Sequence, residues 1–169
     1  KKSLEWNAKN VDAKQILVNV EQESKRYSSA ICYVNELLEV NPYWKGLWSR
    51  KIELYELQGN TVESNRLRKR LSQIYPKDSK VQEDYLYNTE LQANALRKQG
   101  KIDEAISLTS DLLKKQPENP SHYLTLVNDH LKTGDYYSAL AFAERGLIQF
   151  PGNLSLINKQ SGILAEKKN

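Results

Sequence analysis

The side chains that could support metal or nucleophilic chemistry are few and scattered in this sequence. The two histidines, His122 and His130, are eight residues apart with no cysteine nearby, whereas zinc usually takes three or four closely spaced ligands. Cys32 is the only cysteine and lies among apolar residues, without the base and the orienting group that a nucleophile needs. We therefore expect no metal or other cofactor, no enzymatic activity, a packed His130 and a buried Cys32.

The clustered charges have simple structural explanations. Asp103 and Glu104 stand where a helix is expected to begin, and carboxylates there complement the helix dipole. The glycines are spaced singly, so there is no loop of the kind that cradles phosphate. The densest basic cluster is RLRKR at 66–70, which we place on an exposed outer helix face beside Glu63. An alternative for this cluster is docking to an acidic protein or a lipid headgroup, which strong salt dependence of binding would favour.

Composition and charge narrow the function classes. The 169 residues are 39% hydrophobic and 27% charged, with a net charge of +4. This near balance does not indicate a nucleic acid partner. No apolar run approaches the ~20 residues of a membrane-spanning helix, so no integral membrane segment is expected. The chain lacks methionine and begins KKSLEW, and we expect it to be a segment or mature portion of a longer protein.

A repeat with a period of about 34 residues organises the chain, within the range that is typical of stacked helical repeats. Gly100 opens GKIDEAISL, and Gly134 opens GDYYSALAF one period later. Prolines at positions 42, 76, 117 and 151 mark the same period twice, with a middle interval that is longer by seven residues. Proline cannot continue a helix, and glycine permits the left-handed turn that closes one. This punctuation therefore predicts a stack of helix pairs in which no pair can bury its apolar face alone.

The repeat predicts four helix pairs and one closing helix. The expected helices are 11–24, 27–40, 45–58, 61–74, 79–99, 102–116, 120–133, 136–149 and 154–167. The expected repeats are about 11–44, 45–78, 79–119 and 120–153, in a single domain that follows an N-terminal segment at 1–10. The seven extra residues of the third repeat would lengthen its first helix, capped by Asp78 or Ser79, and Asn119 would cap the helix that Pro120 opens. Small residues at one position of every second helix would let the paired helices approach closely: Ala30, Ser64, Ala105 and Ala139.

These stretches resemble the tetratricopeptide repeat (TPR) family. KQGKIDEAISLTSDLLKKQPENP and KTGDYYSALAFAERGLIQFPGN are the most specific matches, and KRYSSAICYVNELLEVNP and LQGNTVESNRLRKRLSQIYP are looser ones. Trp48 and Tyr123 stand where the family favours a large aromatic residue, whereas Lys14 and Thr89 depart from that pattern. The resemblance covers about residues 11–167. It implies an all-α, right-handed superhelical solenoid of antiparallel helix pairs, with four TPR-like units and a C-terminal capping helix, in a bacterial protein.

The resemblance also implies a binding groove, because the first helices of TPR pairs line a concave face that commonly holds peptides. An asparagine at one position of these helices often hydrogen-bonds the peptide backbone, since an amide both donates and accepts. The candidate binding residues are Asn19, Glu53, Tyr87, Asn94, Arg97, Lys98, Leu124, Asn128 and Lys132. A basic C-terminal half predicts a ligand segment with an acidic end over the third and fourth repeats. The alternative for the asparagines is a solvated helix face.

The function that the sequence favours is a non-catalytic module that binds a protein or peptide segment in this groove. The main alternative is a structural or docking segment of a larger bacterial cell-envelope protein, for secretion or polysaccharide export, with no free peptide ligand. That alternative would place the chain in the periplasm or cell envelope. Polysaccharide binding is a third class, which aromatics such as Tyr43 and Trp44 permit. The partner's identity and the oligomeric state are left open.

Overall fold

The computed structural model describes the backbone of residues 2–166 and the side chains of residues 10–166, and the helices of this region are joined by short turns without a strand. The helices are α1 (Lys2–Glu23), α2 (Tyr27–Val40), α3 (Lys45–Leu57), α4 (Thr61–Ile74), α5 (Ser79–Lys98), α6 (Ile102–Lys115), α7 (Pro120–Lys132), α8 (Tyr136–Gln149) and α9 (Leu154–Glu166). The predicted all-α class is therefore confirmed. From α2 onwards every helix begins at the predicted residue, and position 167 lies outside the described residues.

The first helix is longer than the sequence suggested. α1 begins at Lys2 and not at residue 11, so residues 2–10 continue the helix where a separate N-terminal segment was expected. The first ten residues contain no glycine or proline, and nothing in this stretch therefore interrupts helix formation. The prediction of a start at residue 11 was wrong because it relied on the repeat period, which says nothing about residues before the first repeat.

The same kind of turn connects the two helices of each pair. Gly100 and Gly134 have φ angles of 77° and 78°, and the amide after each glycine donates back to the carbonyl five residues earlier, as in Lys101 N to Leu96 O at 3.0 Å. Lys25, at the equivalent place in the first repeat, also has a positive φ, of 57°, and its neighbour Arg26 makes the corresponding bond to Glu21 O at 2.8 Å. A hydrogen-bonded turn of this kind is the usual way to end a helix with a left-handed residue.

The seven extra residues of the third repeat lie in its first helix, as predicted. α5 has 20 residues, whereas α3 and α7 have 13 each. Asp78 caps its start, since Oδ1 accepts a hydrogen bond from Val81 N at 3.2 Å. Asn119 likewise caps α7 by accepting from Ser121 N at 3.0 Å. Side-chain caps of this kind typically contribute about 1 kcal/mol each.

Neighbouring helices pack against one another within each half of the chain, as α1 does with α2, α3 with α4 and α7 with α8. The four positions expected to allow close approach are almost fully buried, namely Ala30, Ser64, Ala105 and Ala139. Large side chains such as Leu54 and Leu126 fill the space between helices and are fully buried, and each contributes about 1.5–3 kcal/mol by leaving water. The helix pairs repeat at the near-constant step along the chain that the sequence predicted.

The chain divides into two compact units, Lys1–Tyr85 and Leu86–Asn169, and the division falls within α5. We call these the N-terminal unit and the C-terminal unit. The core of the N-terminal unit includes Leu37, Leu54 and Trp48, and that of the C-terminal unit includes Tyr123, Leu126 and Leu156. The right-handed superhelix and the assignment of residues 11–169 to one domain stay predictions.

Candidate functional site

One face of the C-terminal unit carries four of the predicted binding residues. Asn94 and Lys98 lie about one turn apart on α5, and Asn128 and Lys132 have the same spacing at the equivalent positions of α7. An ion pair between α5 and α7, described below, holds these two helices together at this level. We call these four side chains the amide–lysine face.

Most polar groups of the amide–lysine face have no partner among the side chains that the structure describes. Among the side chains of residues 10–166, Lys98 and Lys132 are exposed and neither has an ion-pair partner. In the same part of the chain, the half-buried Asn128 makes no side-chain hydrogen bond. The Asn94 oxygen accepts a hydrogen bond from Arg97 Nη1 at 2.9 Å, which leaves its amide N–H groups to donate. A ligand would therefore meet two ammonium groups and two amides.

Arg97, also a predicted binding residue, is engaged inside the protein. Its Nε donates to both carboxylate oxygens of Asp129, at 3.1 and 2.8 Å, and its Nη2 donates to the hydroxyl of Thr109. The side chain of Arg97 is only 14% exposed and that of Asp129 only 2%. The structure thus places Arg97 as a link from α5 to α6 and α7, where it orients Asn94.

Apolar side chains border the amide–lysine face. Tyr87 is 63% exposed and lies on the same stripe of α5 as Asn94, seven residues or about two turns away. Leu91, which the sequence analysis did not select, is also exposed between them. The predicted Leu124 is half-buried and packs against the core of the C-terminal unit. The exposed apolar surface beside the amides therefore comes chiefly from Tyr87 and Leu91.

The two predicted binding residues in the N-terminal unit, Asn19 and Glu53, both contact Arg50. The Asn19 oxygen accepts a hydrogen bond from Arg50 Nη2 at 2.7 Å. Glu53 accepts from Arg50 Nη1 and from Gln22 Nε2, each at 3.2 Å. Asn19 and Glu53 therefore join α1 to α3 through Arg50, and both remain exposed at their outer edges.

A cleft of about 360 Å³ in the N-terminal unit is bounded by α3, α4 and α5. Arg68 lies in its wall, where Nη2 donates to Glu56 Oε1 at 2.6 Å and Nε donates to Asp84 Oδ2 at 2.9 Å. The side chain of Arg68 is 8% exposed, so its predicted place on an exposed outer face was wrong. The repeat offered the missing signal, because the equivalent positions Val34 and Thr109 are also buried.

The side chains that could support metal or nucleophilic chemistry are His122, His130 and Cys32, and His130 Nδ1 lies 3.3 Å from Asp135 Oδ2. No group of three His, Cys, Asp or Glu residues in the part of the chain that the structure describes could hold a metal ion. Cys32 is exposed, contrary to the prediction, because it is two residues from both Ala30 and Val34 and so points about 200° away from the buried side of α2. His130 packs as predicted, stacked on Phe142 with ring centroids 5.4 Å apart. None of the described helices is both long and apolar enough to span a bilayer.

His122 is a buried titratable group close to the start of α7. Its Nε2 lies 3.0 Å from Gln116 Oε1 and 3.3 Å from Asn119 Nδ2. Burial lowers the pKa of His122 below its ordinary value of 6.5, against a smaller opposing effect of the charges on Glu90 and Glu118. Burial therefore disfavours the protonated form of this imidazole in the folded protein.

We expect His122 to make stability fall in mild acid. As the pH drops through about 6.5, His122 becomes protonated in the unfolded chain but not yet in the folded protein. The free energy of unfolding therefore decreases until the pH reaches the lower pKa of His122 in the folded protein. Urea denaturation of the wild type and of His122→Gln between about pH 7.5 and 5.5 measures this effect. The free energy of unfolding of the variant should depend less on pH than that of the wild type. Equal slopes for the two proteins would contradict the role given to His122.

Comparison with known proteins gives only distant similarities. No family model matches the sequence, and no curated protein matches it. The chain is similar to TTC0263, a thermophilic TPR protein in Thermus thermophilus, with 18% identity over 97% of this chain and 86% of that one, and a TM-score of 0.44. It is similar to MamA from Desulfovibrio magneticus RS-1 at 8% identity over 94% and 85% (TM-score 0.45). It is similar to YrrB, a TPR protein with an unusual peptide-binding site, at 14% identity over 95% and 79% (TM-score 0.40). Identities this low transfer no site residue to this chain.

Proposed function

We propose that this chain is a non-catalytic binding module and that the amide–lysine face holds an extended peptide segment with an acidic end. The observation that supports this proposal most strongly is a pair of residues that occurs twice, on two helices that an ion pair connects. Each pair is an asparagine followed one turn later by a lysine that has no ion-pair partner among residues 10–166. Surface lysines usually have mobile, solvated ammonium groups. Two of them at equivalent places beside two available amides form a regular arrangement, and an extended peptide backbone likewise presents its polar groups at regular intervals.

Each part of the face would have a separate task. The amides of Asn94 and Asn128 would bind backbone N–H and C=O groups, which every peptide has. Lys98 and Lys132 would attract carboxylates, and this attraction would set both the preference for an acidic segment and the rate of association. Tyr87 would contribute an apolar surface with a polar tip for a ligand side chain. Arg97, held by Asp129, would keep Asn94 in place beside the ligand.

We expect neutralisation of the two lysines to weaken binding of acidic peptides. The probes are short synthetic peptides with Asp and Glu at the carboxyl-terminal end, compared with the same peptides carrying Asn and Gln. In Lys98→Gln/Lys132→Gln the affinity for the acidic peptides should fall about tenfold, measured by fluorescence anisotropy at fixed ionic strength. The matched control is Lys101→Gln/Lys114→Gln, which removes the same charge from lysines that pair with Glu104 and Asp111.

The amides should show a different pattern. Asn94→Ala/Asn128→Ala should lower the affinity for acidic and neutral peptides by a similar factor, because the backbone that the amides would contact is the same in both kinds of peptide. Unchanged binding in this variant would remove the amides from the site. If the wild-type protein binds none of the acidic peptides, or if the lysine control loses affinity as much as Lys98→Gln/Lys132→Gln does, the proposed function is wrong.

A further inference from the structure

A second basic site lies on the N-terminal unit around Trp48. The guanidinium of Arg70 on α4 lies over the Trp48 ring, with Cζ 4.9 Å from the ring centroid. The ammonium of Lys51 on α3 lies 5.9 Å from the same centroid. Arg66 is one turn before Arg70 and therefore on the same side of α4. Trp48 itself is buried, and its Nε1 donates to Pro42 O at 2.8 Å, so it is a fixed platform for the cations.

These three cations lie away from the cleft that contains Arg68. Arg66 and Arg70 are each two residues from Arg68, so helix geometry turns them about 200° away from it. Lys51 is likewise two residues from both Ser49 and Glu53, which line the cleft. The run RLRKR therefore contributes to two separate structures, a buried ion pair and an exposed basic cluster. We call Lys51, Arg66 and Arg70 the Trp48 basic cluster.

The Trp48 basic cluster has too few carboxylates to balance its charge. Glu63 lies 3.4 Å from Arg66 Nε, and among the side chains of residues 10–166 neither Lys51 nor Arg70 has an ion-pair partner. The pKa of the Lys51 ammonium is lowered, first by burial and then by the charges of Arg70 and Arg66, while Glu63 opposes the shift. Three cations thus face one carboxylate, in a place where one of the cations has already lost part of its water.

We propose that the Trp48 basic cluster is a binding site for a phosphate group. With Glu63 included, the cluster has two uncompensated positive charges, which a phosphate dianion would neutralise. Guanidinium groups present forked N–H donors that match phosphate oxygens, and an ammonium adds a point charge with three donors. Stacking on Trp48 restricts Arg70, so that less side-chain entropy is lost when an anion binds. A single carboxylate would leave half of the positive charge unbalanced.

Inorganic phosphate is the probe that tests this site directly. Phosphate should bind saturably and raise the melting temperature by about 3 °C at ten times its Kd, with chloride used to keep the ionic strength constant. It should also shift the NMR resonances of the Lys51 and Arg70 side chains and the indole resonance of Trp48. Lys51→Gln/Arg70→Gln should lose these responses. Arg66→Gln, which removes an exposed side chain and leaves packing intact, should weaken them several-fold.

The matched control is Arg145→Gln in the C-terminal unit. Arg145 lies over the Phe142 ring at 5.3 Å, so the variant removes the same kind of contact from a different aromatic ring, and its response to phosphate should equal that of the wild type. Vesicles of phosphatidylcholine with and without phosphatidic acid then distinguish the source of the phosphate group. Recruitment only by phosphatidic acid, lost in Arg66→Gln, identifies a lipid headgroup, and phosphate binding without recruitment identifies a soluble phosphorylated ligand.

Two results would overturn the proposal. One is the absence of a saturable phosphate response in the wild-type protein. The other is a response that persists undiminished in both Arg66→Gln and Lys51→Gln/Arg70→Gln. Because none of these residues belongs to the amide–lysine face, failure of this site leaves the peptide-binding proposal untouched.

Discussion

Asp129→Ala should lower the free energy of unfolding by about 3 kcal/mol, because it leaves the largely buried Arg97 guanidinium without its counter-charge. The carboxylate of Asp129 is 2% exposed and accepts two hydrogen bonds from Arg97 Nε. Water cannot replace this carboxylate without opening the contact between α5 and α7. Urea denaturation followed by circular dichroism measures the loss.

Two further variants distinguish the cost of leaving a charge without its partner from the cost of losing a salt bridge. Glu104→Ala removes an exposed partner 3.8 Å from Lys101 and should change stability by about 0.5 kcal/mol or less. Arg97→Met/Asp129→Leu removes both charges from the interface and should recover much of the stability lost in Asp129→Ala. A cost in Asp129→Ala as small as that in Glu104→Ala would show that Arg97 finds water or another partner.

Gly146→Ala should destabilise the protein by about 1–3 kcal/mol through overpacking. An added Cβ would lie 2.8 Å from Leu156 Cδ1 and 3.1 Å from Tyr123 Cβ. Leu156 and Tyr123 both belong to the core of the C-terminal unit, so neither can move away without disturbing its neighbours. The melting temperature and the midpoint of urea denaturation should both decrease.

Gly162→Ala provides the matched comparison. Gly162 also lies inside a helix, α9, but an added Cβ there would meet no atom within 4 Å. Alanine has the higher helix propensity and should stabilise α9 by about 0.5–1 kcal/mol. The same substitution is therefore expected to have opposite signs at the two glycines. A stabilising Gly146→Ala would mean that Leu156 repacks more easily than its burial suggests.

Helix boundaries could be predicted because the signals that set them are local. Proline, glycine and capping side chains act within a few residues of the helix end, as with Asp78 before α5 and Gly100 after it. Because the repeat has a near-constant length, the helix boundaries of the well-marked repeats also predicted those of the less well-marked ones. Lys25 adopts the left-handed conformation at the same place although lysine itself does not favour it, so the turn at this place of the repeat does not require glycine.

The roles of the charged residues could not be predicted, because their partners lie far away in the sequence. Arg68 meets Glu56 and Asp84, which are 12 and 16 residues distant, and Arg97 meets Asp129, 32 residues distant. Composition alone makes such residues look exposed, because arginine is usually on the surface. Gly146 was overlooked for a related reason, since its equivalents Leu37, Leu71 and Leu112 are all large and buried. The ligand contacts of Asn19, Glu53, Tyr87, Asn94, Arg97, Lys98, Leu124, Asn128 and Lys132 stay predictions.

The ion pairs of Arg68 and Arg97 have a consequence for how neighbouring helices separate during unfolding. Arg68 ties the second helix pair to the next helix, and Arg97 does the same for the third pair through Asp129. An intermediate in which one of these helices has melted would lose the ion pair together with the apolar contacts around it. In repeat arrays such a loss adds to the coupling between adjacent repeats, so separate melting of the helices that Arg68 and Arg97 join is suppressed.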